Sequence, residues 1–231
     1  EKYMESFMDG FYGAENEFFV KLIGGNLTGS DKIFVDITAL GEVKKENIVK
    51  REGASVGDKI FVSGTLGDSA LGLKVLKSNK TLYNGHRYLV ERHKMPSPRL
   101  ALGKELAVRN LATSMIDVSD GLLLDLSRIS TEFELGADIN LSSIPLSDDY
   151  KGYITELCGD EYEPALSGGE DYELLFTSSE ENSAKISALS KELGIQITDI
   201  GSITDSAKIN LINNDGTKIE VEKRGYVHFS T

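Results

Sequence analysis

A single cysteine, Cys158, in 231 residues excludes an internal disulfide and fits a reducing compartment. No histidine is near it in sequence to act as a base, so it reads as a buried or loop thiol. The three histidines, His86, His93 and His228, show no zinc-type spacing with Cys158 or with one another. Nothing suggests a Ser-His-Asp arrangement, and a hydrolase with a protein nucleophile is unsupported. Basic residues are also scarce. Lys and Arg total 25 against 37 Asp and Glu, a net charge of −12, which disfavours a nonspecific nucleic-acid surface. No run approaches about 18 consecutive apolar residues, so no membrane span is expected. The first residues do not form a basic region followed by an apolar signal core. The chain reads as soluble and cytoplasmic.

What is present suffices for a real core: 40% hydrophobic residues, with nine Phe and nine Tyr. The length suits one large domain or two smaller ones. An acidic protein can still bind anionic substrates when divalent cations, local arginines or glycine-rich loops supply the attraction.

The densest stretch is Ser114-Met115-Ile116-Asp117-Val118-Ser119-Asp120-Gly121-Leu122-Leu123-Leu124-Asp125-Leu126. It reads as strand, turn and helix, with Leu122, Leu123, Leu126 and Ile129 on one helical face. Ser119 or Asp120 is the expected N-cap, and Asp117 falls at the end of the strand. Taken alone, this is first of all a capped helix. Its two carboxylates and hydroxyl also suit a hard cation and the phosphates such a cation carries. A second dense motif is Leu166-Ser167-Gly168-Gly169-Glu170-Asp171-Tyr172-Glu173-Leu174, a glycine pair and acids leading into a strand at Tyr172. Structural turn and ligand loop weigh about evenly there.

Around these motifs the pattern predicts a helix over residues 1–16 and strands at Phe18–Ile23 and Ile33–Leu40. The polar stretch Lys44–Asp58, which contains Arg51, reads as a domain junction. Lys59–Ser63 is a strand that leads through Gly64-Thr65-Leu66-Gly67 into a helix over Ala70–Leu76, capped by Asp68 or Ser69. Further helices are expected over Tyr83–His93 and, after the Pro96–Pro98 break, Arg99–Val108. Gly136–Leu141 is a strand, and Ser147–Glu163 a helix and loop. A helix over Ser179–Leu193 turns Ala184, Ile186, Leu189 and Leu193 inward and stops at Gly194. Strands follow at Ile195–Ile203 and Lys208–Ile212, then a hairpin at Asn213–Gly216 returning through Ile219 and Val221.

Several motifs then coincide in one order. Ser63-Gly64-Thr65-Leu66-Gly67-Asp68-Ser69-Ala70, the Pro96–Arg99 break, Ile116–Leu122, Ser167–Leu174 and the terminal Gly225-Tyr226-x-His228-Phe229 resemble the thiamine-monophosphate kinase family. That family lies within the aminoimidazole ribonucleotide synthetase-like ATP-binding superfamily, and the resemblance covers essentially the whole chain. It implies an α/β two-domain fold. Residues 1–52 would be the remnant of an N-terminal ATP-binding and dimerisation domain, and residues 53–231 a C-terminal domain with a mixed sheet flanked by helices.

The implied activity is ATP- and Mg2+-dependent phosphorylation of thiamine phosphate to thiamine diphosphate by direct in-line transfer, in a homodimer. Position by position, Asp117 resembles a magnesium ligand bridging to nucleotide phosphates, Asp120 a further metal ligand and Ser119 an ATP contact. Gly25 and Asn26 occupy the place of a Gly-Asp pair that contacts ATP and magnesium, with Asn26 one negative charge short. Arg51 aligns with an arginine on the ATP phosphates. Glu170 resembles a thiamine-phosphate contact, and Tyr226 an aromatic stacked on the cationic ring system of the substrate. Family members also carry an acidic Gly-Asp-Asp-type segment ahead of the residues present here, so the resemblance implies an incomplete metal site and a chain inactive by itself. The alternatives are another ATP-using member of the superfamily, of the selenophosphate synthetase, purine-pathway synthetase or hydrogenase-maturation type, or a non-catalytic nucleotide-binding unit.

Overall fold

The computed structural model describes residues 2–78 and 86–220. The expected tail motif with Tyr226 and His228, and the start of the helix expected at Tyr83, lie outside them. The chain divides into two compact units, residues 1–42 and 43–231.

The first unit holds helix α1, Lys2–Phe18, which ends two residues beyond the expected 1–16. The two strands expected at Phe18–Ile23 and Ile33–Leu40 are not formed: residues 19–43 contain no strand. A strand exists only through its ladder, and no segment among the described residues pairs with this one. The alternating pattern of Ile33, Val35 and Ile37 is therefore left in solvent, with Ile33 72% and Ile37 67% exposed.

The second unit is built on one seven-stranded sheet. Its strands are β1 (Lys59–Ser63), β2 (Ser114–Val118), β3 (Gly136–Asn140), β4 (Glu173–Ser178), β5 (Ile197–Thr204), β6 (Ile209–Ile212) and β7 (Lys218–Glu220). They lie in the order β2-β4-β1-β5-β3-β6-β7. Every pairing is antiparallel except β3 with β6, so the sheet is mixed.

The helices of this unit are α2 (Asp68–Lys77), α3 (His86–Lys94), α4 (Leu100–Val108), α5 (Leu122–Ile129), α6 (Asp148–Leu157), α7 (Glu163–Ser167) and α8 (Ser183–Leu193). Two apolar clusters show how they cover the sheet. Ile60 and Val62 of β1 pack with Leu71 of α2, Leu122, Leu126 and Ile129 of α5, and Tyr150 of α6. Phe61, between them in sequence, points the other way and packs with Leu102 and Leu106 of α4 and Ile186 and Leu189 of α8. The period of two in a strand makes this division: adjacent β1 residues serve opposite layers. Phe61 also stacks on Phe176, its cross-strand partner in β4, with ring centroids 5.3 Å apart. All four leucine and isoleucine positions expected on the inner face of α5 are buried, whereas Ala184, expected inward on α8, is exposed. No helix among the described residues is long and apolar enough to cross a membrane.

Candidate functional site

β2 and β4 pair so that Asp117 lies opposite Leu174 and Val118 opposite Glu173. The two dense motifs of the sequence thus run out of neighbouring strands at the same end of the sheet, and backbone bonds join them. Glu170 N donates to Ser119 O at 2.8 Å, and Tyr172 N donates to Val118 O at 2.9 Å. Gly169 makes this approach possible, because a Cβ there would sit 2.3 Å from Ser119 O.

The turn from β2 into α5 is capped in the reverse of the expected sense. The residue preceding the helix is Gly121, and no side chain at its start bonds forward. Instead Asp125, from inside the helix and fully buried, accepts from Ser119 N and Asp120 N at 2.9 Å each. Its other oxygen pairs with Arg128 at 2.5 Å, and Arg128 reaches on to Asp120 at 2.7 Å. Ser119 and Asp120 are relieved of capping, and the Asp120 carboxylate pairs with Arg128 instead. Burial raises the Asp125 carboxyl above its ordinary range, opposed by the Asp120 amide and the Arg128 charge.

The segment Glu170–Glu173 alternates. Glu170 and Tyr172 face solvent, while Asp171 and Glu173 are fully buried. Both outward residues have left-handed backbones, φ 70° at Glu170 and 51° at Tyr172, conformations that cost on the order of 1 kcal/mol or more each unless the surroundings impose them. Asp171 is one anchor: its carboxylate accepts from Gly67 N at 2.7 Å and Ser69 N at 3.2 Å, capping α2 from 102 to 104 residues away. Neither Asp68 nor Ser69 caps that helix. Asp68 instead accepts from Thr65 and Ser147.

Burial pushes the Asp171 carboxyl up to about 7, against the two amides that favour its charge. Unfolded, the same group titrates near 3.9. Between those values the folded state holds a proton that the unfolded state has released. This contribution to stability is therefore fully present below about pH 4, is lost as pH rises toward about 7, and stays constant above. Asp171→Asn removes the titration. Denaturant midpoints taken from pH 4 to pH 8 should move in favour of the Asn variant, relative to the parent, across that window; a difference independent of pH contradicts the assignment.

The predicted residues fall into four groups. Asp117, Ser119, Asp120 and Glu170 are brought together. The phenol of Tyr172 is raised by burial first, then by the charge of Glu170 and its hydrogen bond to Glu170, then by the charges of Asp117 and Asp120, so one hydroxyl feels all three carboxylates. Arg51 is exposed and follows Lys50, whose carbonyl accepts from Met115 N of β2 at 3.0 Å. Gly25 and Asn26 belong to the first unit, where Asn26 Nδ2 donates to Thr28 Oγ1 at 3.4 Å. Tyr226 lies outside the described residues.

Sequence reasoning missed Asp125, Arg128, Asp171, Glu173, Arg92 and Arg99. The only legible signal was the period of two in Glu-Asp-Tyr-Glu, which puts alternate residues on opposite faces. Among the described residues, no group of three His, Cys, Asp or Glu is placed to hold a metal. The donor set at the strand ends is Asp117, whose carboxylate has no hydrogen bond or ion pair within the described residues, and Asp120, which shares Arg128.

A family model described as AIR synthase related protein, C-terminal domain, matches residues 55–213. The chain is 39% identical over 235 positions to the thiamine-monophosphate kinase of Buchnera aphidicola subsp. Schizaphis graminum, an alignment covering 98% of the chain and 69% of that protein. It also resembles the crystal structure of thiamine-monophosphate kinase from Stenotrophomonas maltophilia K279a, with TM-score 0.68 and 33% identity over 77% of the chain and 56% of that structure. The structure described as AaThiL complexed with AMPPCP and TMP matches with TM-score 0.67 and 35% identity, over 78% of the chain and 54% of that structure. The chain therefore spans about half the length of these solved proteins.

Proposed function

Because the chain belongs to the thiamine-monophosphate kinase family, within the AIR synthase-related proteins, we propose that it transfers the γ-phosphoryl group of ATP to thiamine phosphate. The observation that carries the reading is that backbone bonds stitch together the strand ends bearing Asp117, Asp120 and Glu170, so that the charges of all three bear on the phenol of Tyr172. The related structure described as a complex with AMPPCP and TMP supports the choice of ligands.

The chemistry is a displacement. An oxygen of thiamine phosphate forms a bond to the γ-phosphorus, the bond from that phosphorus to the β-bridging oxygen breaks, and ADP leaves. The acceptor is already an anionic oxygen, so activating it is a small part of the task. Bringing two polyanions together is the larger one. The carboxylates of Asp117 and Asp120 fit a hard divalent cation that keeps several of its waters, as magnesium does. Bound there, Mg2+ would neutralise charge on the phosphates. Ser119 offers its hydroxyl to the nucleotide, and Arg51 a planar fork for its phosphates. By the pattern of the family, Gly25 and Asn26 contact nucleotide, and Glu170 and Tyr226 hold thiamine phosphate. Glu170 stands outward from its loop, where its charge suits the cationic rings of the substrate.

Residues 1–52 belong, in this reading, to an N-terminal domain that binds ATP and forms a homodimer. The exposed Phe34, Ile37 and Leu40 support it, since apolar side chains of that size are normally covered. The single cysteine supports a cytoplasmic setting.

The test is direct. The protein, with ATP and MgCl2, should convert thiamine phosphate to thiamine diphosphate and ADP in equal amounts, read by chromatography of both products. Absence of thiamine diphosphate, or transfer unaffected by a chelator, sinks the reading.

A further inference from the structure

Glu173 is the first residue of β4 and has no exposed surface. Its carboxylate accepts four charge-assisted or hydroxyl bonds. Arg99 Nε and Ser63 Oγ donate to Oε2, each at 2.6 Å, while Arg99 donates to Oε1 from its terminal nitrogen at 2.6 Å and Arg92 at 2.9 Å. Arg99 therefore grips the carboxylate with two parallel bonds, the strongest geometry available to the pair. The same Arg92 nitrogen also donates to the backbone carbonyl of Asp171 at 3.3 Å. Ser63 Oγ accepts from Leu174 N at 2.9 Å. Gly64 has φ 59°, and a Cβ on it would lie 2.2 Å from the Glu173 carboxylate, so the turn after β1 is shaped around this group.

These bonds enclose the loop that bears Glu170. Asp171 ties the loop to the start of α2; Glu173 and Arg92 tie it to α3, to the residue before α4 and to the end of β1. The two left-handed residues that face outward, Glu170 and Tyr172, stand on either side of Asp171, and Glu173 follows directly. Burying two guanidinium groups against one carboxylate is an expensive way to stabilise a core, since apolar side chains of similar volume do as well or better. What the arrangement supplies instead is direction: a planar fork allows the carboxylate one orientation, and the backbone on either side follows.

We infer that Glu173, held by Arg99 and Arg92, is a positioning residue that fixes the conformation of the Glu170–Tyr172 segment and thereby the group that meets thiamine phosphate. The inference rests on the kinase reading for its substrate, but the clamp itself is tested without it. Arg99→Lys keeps the charge and removes the fork. Amide hydrogen exchange at Glu170 and Tyr172, which donate to Ser119 and Val118, should accelerate about tenfold in this variant. Exchange at Leu175 and Phe176, deeper in β4, should stay as in the parent protein. With ATP saturating, the KM for thiamine phosphate should rise about tenfold, while the KM for ATP stays within about twofold, the signature of one misplaced substrate contact. Glu173→Gln should move the same readouts in the same direction and further.

Unchanged exchange at Glu170 and Tyr172 in Arg99→Lys overturns the inference, as does acceleration spread equally along β4, which would mean a general stabilising role. An equal rise in KM for both substrates also overturns it. If the parent protein makes no thiamine diphosphate, the kinase reading falls, and the exchange comparison still decides whether the clamp sets the loop.

Discussion

Asp117→Asn is expected to lower the rate of thiamine diphosphate formation by about 10²–10³-fold, the usual effect of removing one preorganised electrostatic group from a transition state. The substitution keeps the size of the side chain and removes its charge. Asp117 is exposed at the end of β2, and its carboxylate makes no hydrogen bond or ion pair among the described residues. Nothing in the fold depends on that charge, so stability should stay within about 0.5 kcal/mol of the parent. The loss should appear chiefly in kcat at saturating substrates, and the apparent affinity for Mg2+ should weaken in the same variant. A variant with parental kcat, or one that loses activity only because it unfolds, removes Asp117 from the proposed role.

Asp125→Ala should have the largest effect on stability among the residues of the site, about 3 kcal/mol. Two backbone donors, Ser119 N and Asp120 N, lose a charged and buried acceptor, and bonds to charged groups contribute about 1.5–3 kcal/mol each in favourable cases. Arg128 retains Asp120, which keeps the cost below that of stranding a buried charge. Asp125→Asn retains one acceptor oxygen and should lose about half as much. Urea unfolding at constant m-value measures both. A loss below about 1 kcal/mol in the Ala variant would show that the turn is held mainly by its bonds to the Gly169–Tyr172 loop. Activity should fall in both variants, because the turn carries Asp117, Ser119 and Asp120 as one unit.

These two outcomes separate groups that look alike in sequence. Asp117, Asp120, Asp125, Asp171 and Glu173 are all acids within or near the two dense motifs. Three of them, Asp125, Asp171 and Glu173, are buried and bind backbone amides, arginines or a serine. Asp117 alone is exposed without such partners, and Asp120 lies between, shared with Arg128. Composition cannot rank them; burial does.

The sequence by itself determined the elements whose signals are local. The period of 3.6 placed Leu122, Leu126 and Ile129 on one face of α5, runs beside glycine turns marked β1 and β4, the two prolines ended one helix and preceded another, and Gly194 stopped α8 in a left-handed cap. The order of its motifs also pointed to the family. Tertiary structure decided what depends on partners far along the chain. The segment 19–43 has a strand pattern and no strand, because pairing requires a neighbour and the pattern cannot supply one. The cap of α2 went to Asp171 rather than to the local Asp68 or Ser69, because burial makes a distant carboxylate the better acceptor when the fold delivers it. Glu173 became the fixed point of its loop only because folding brought Arg92, Arg99 and Ser63 to it from 74 to 110 residues away.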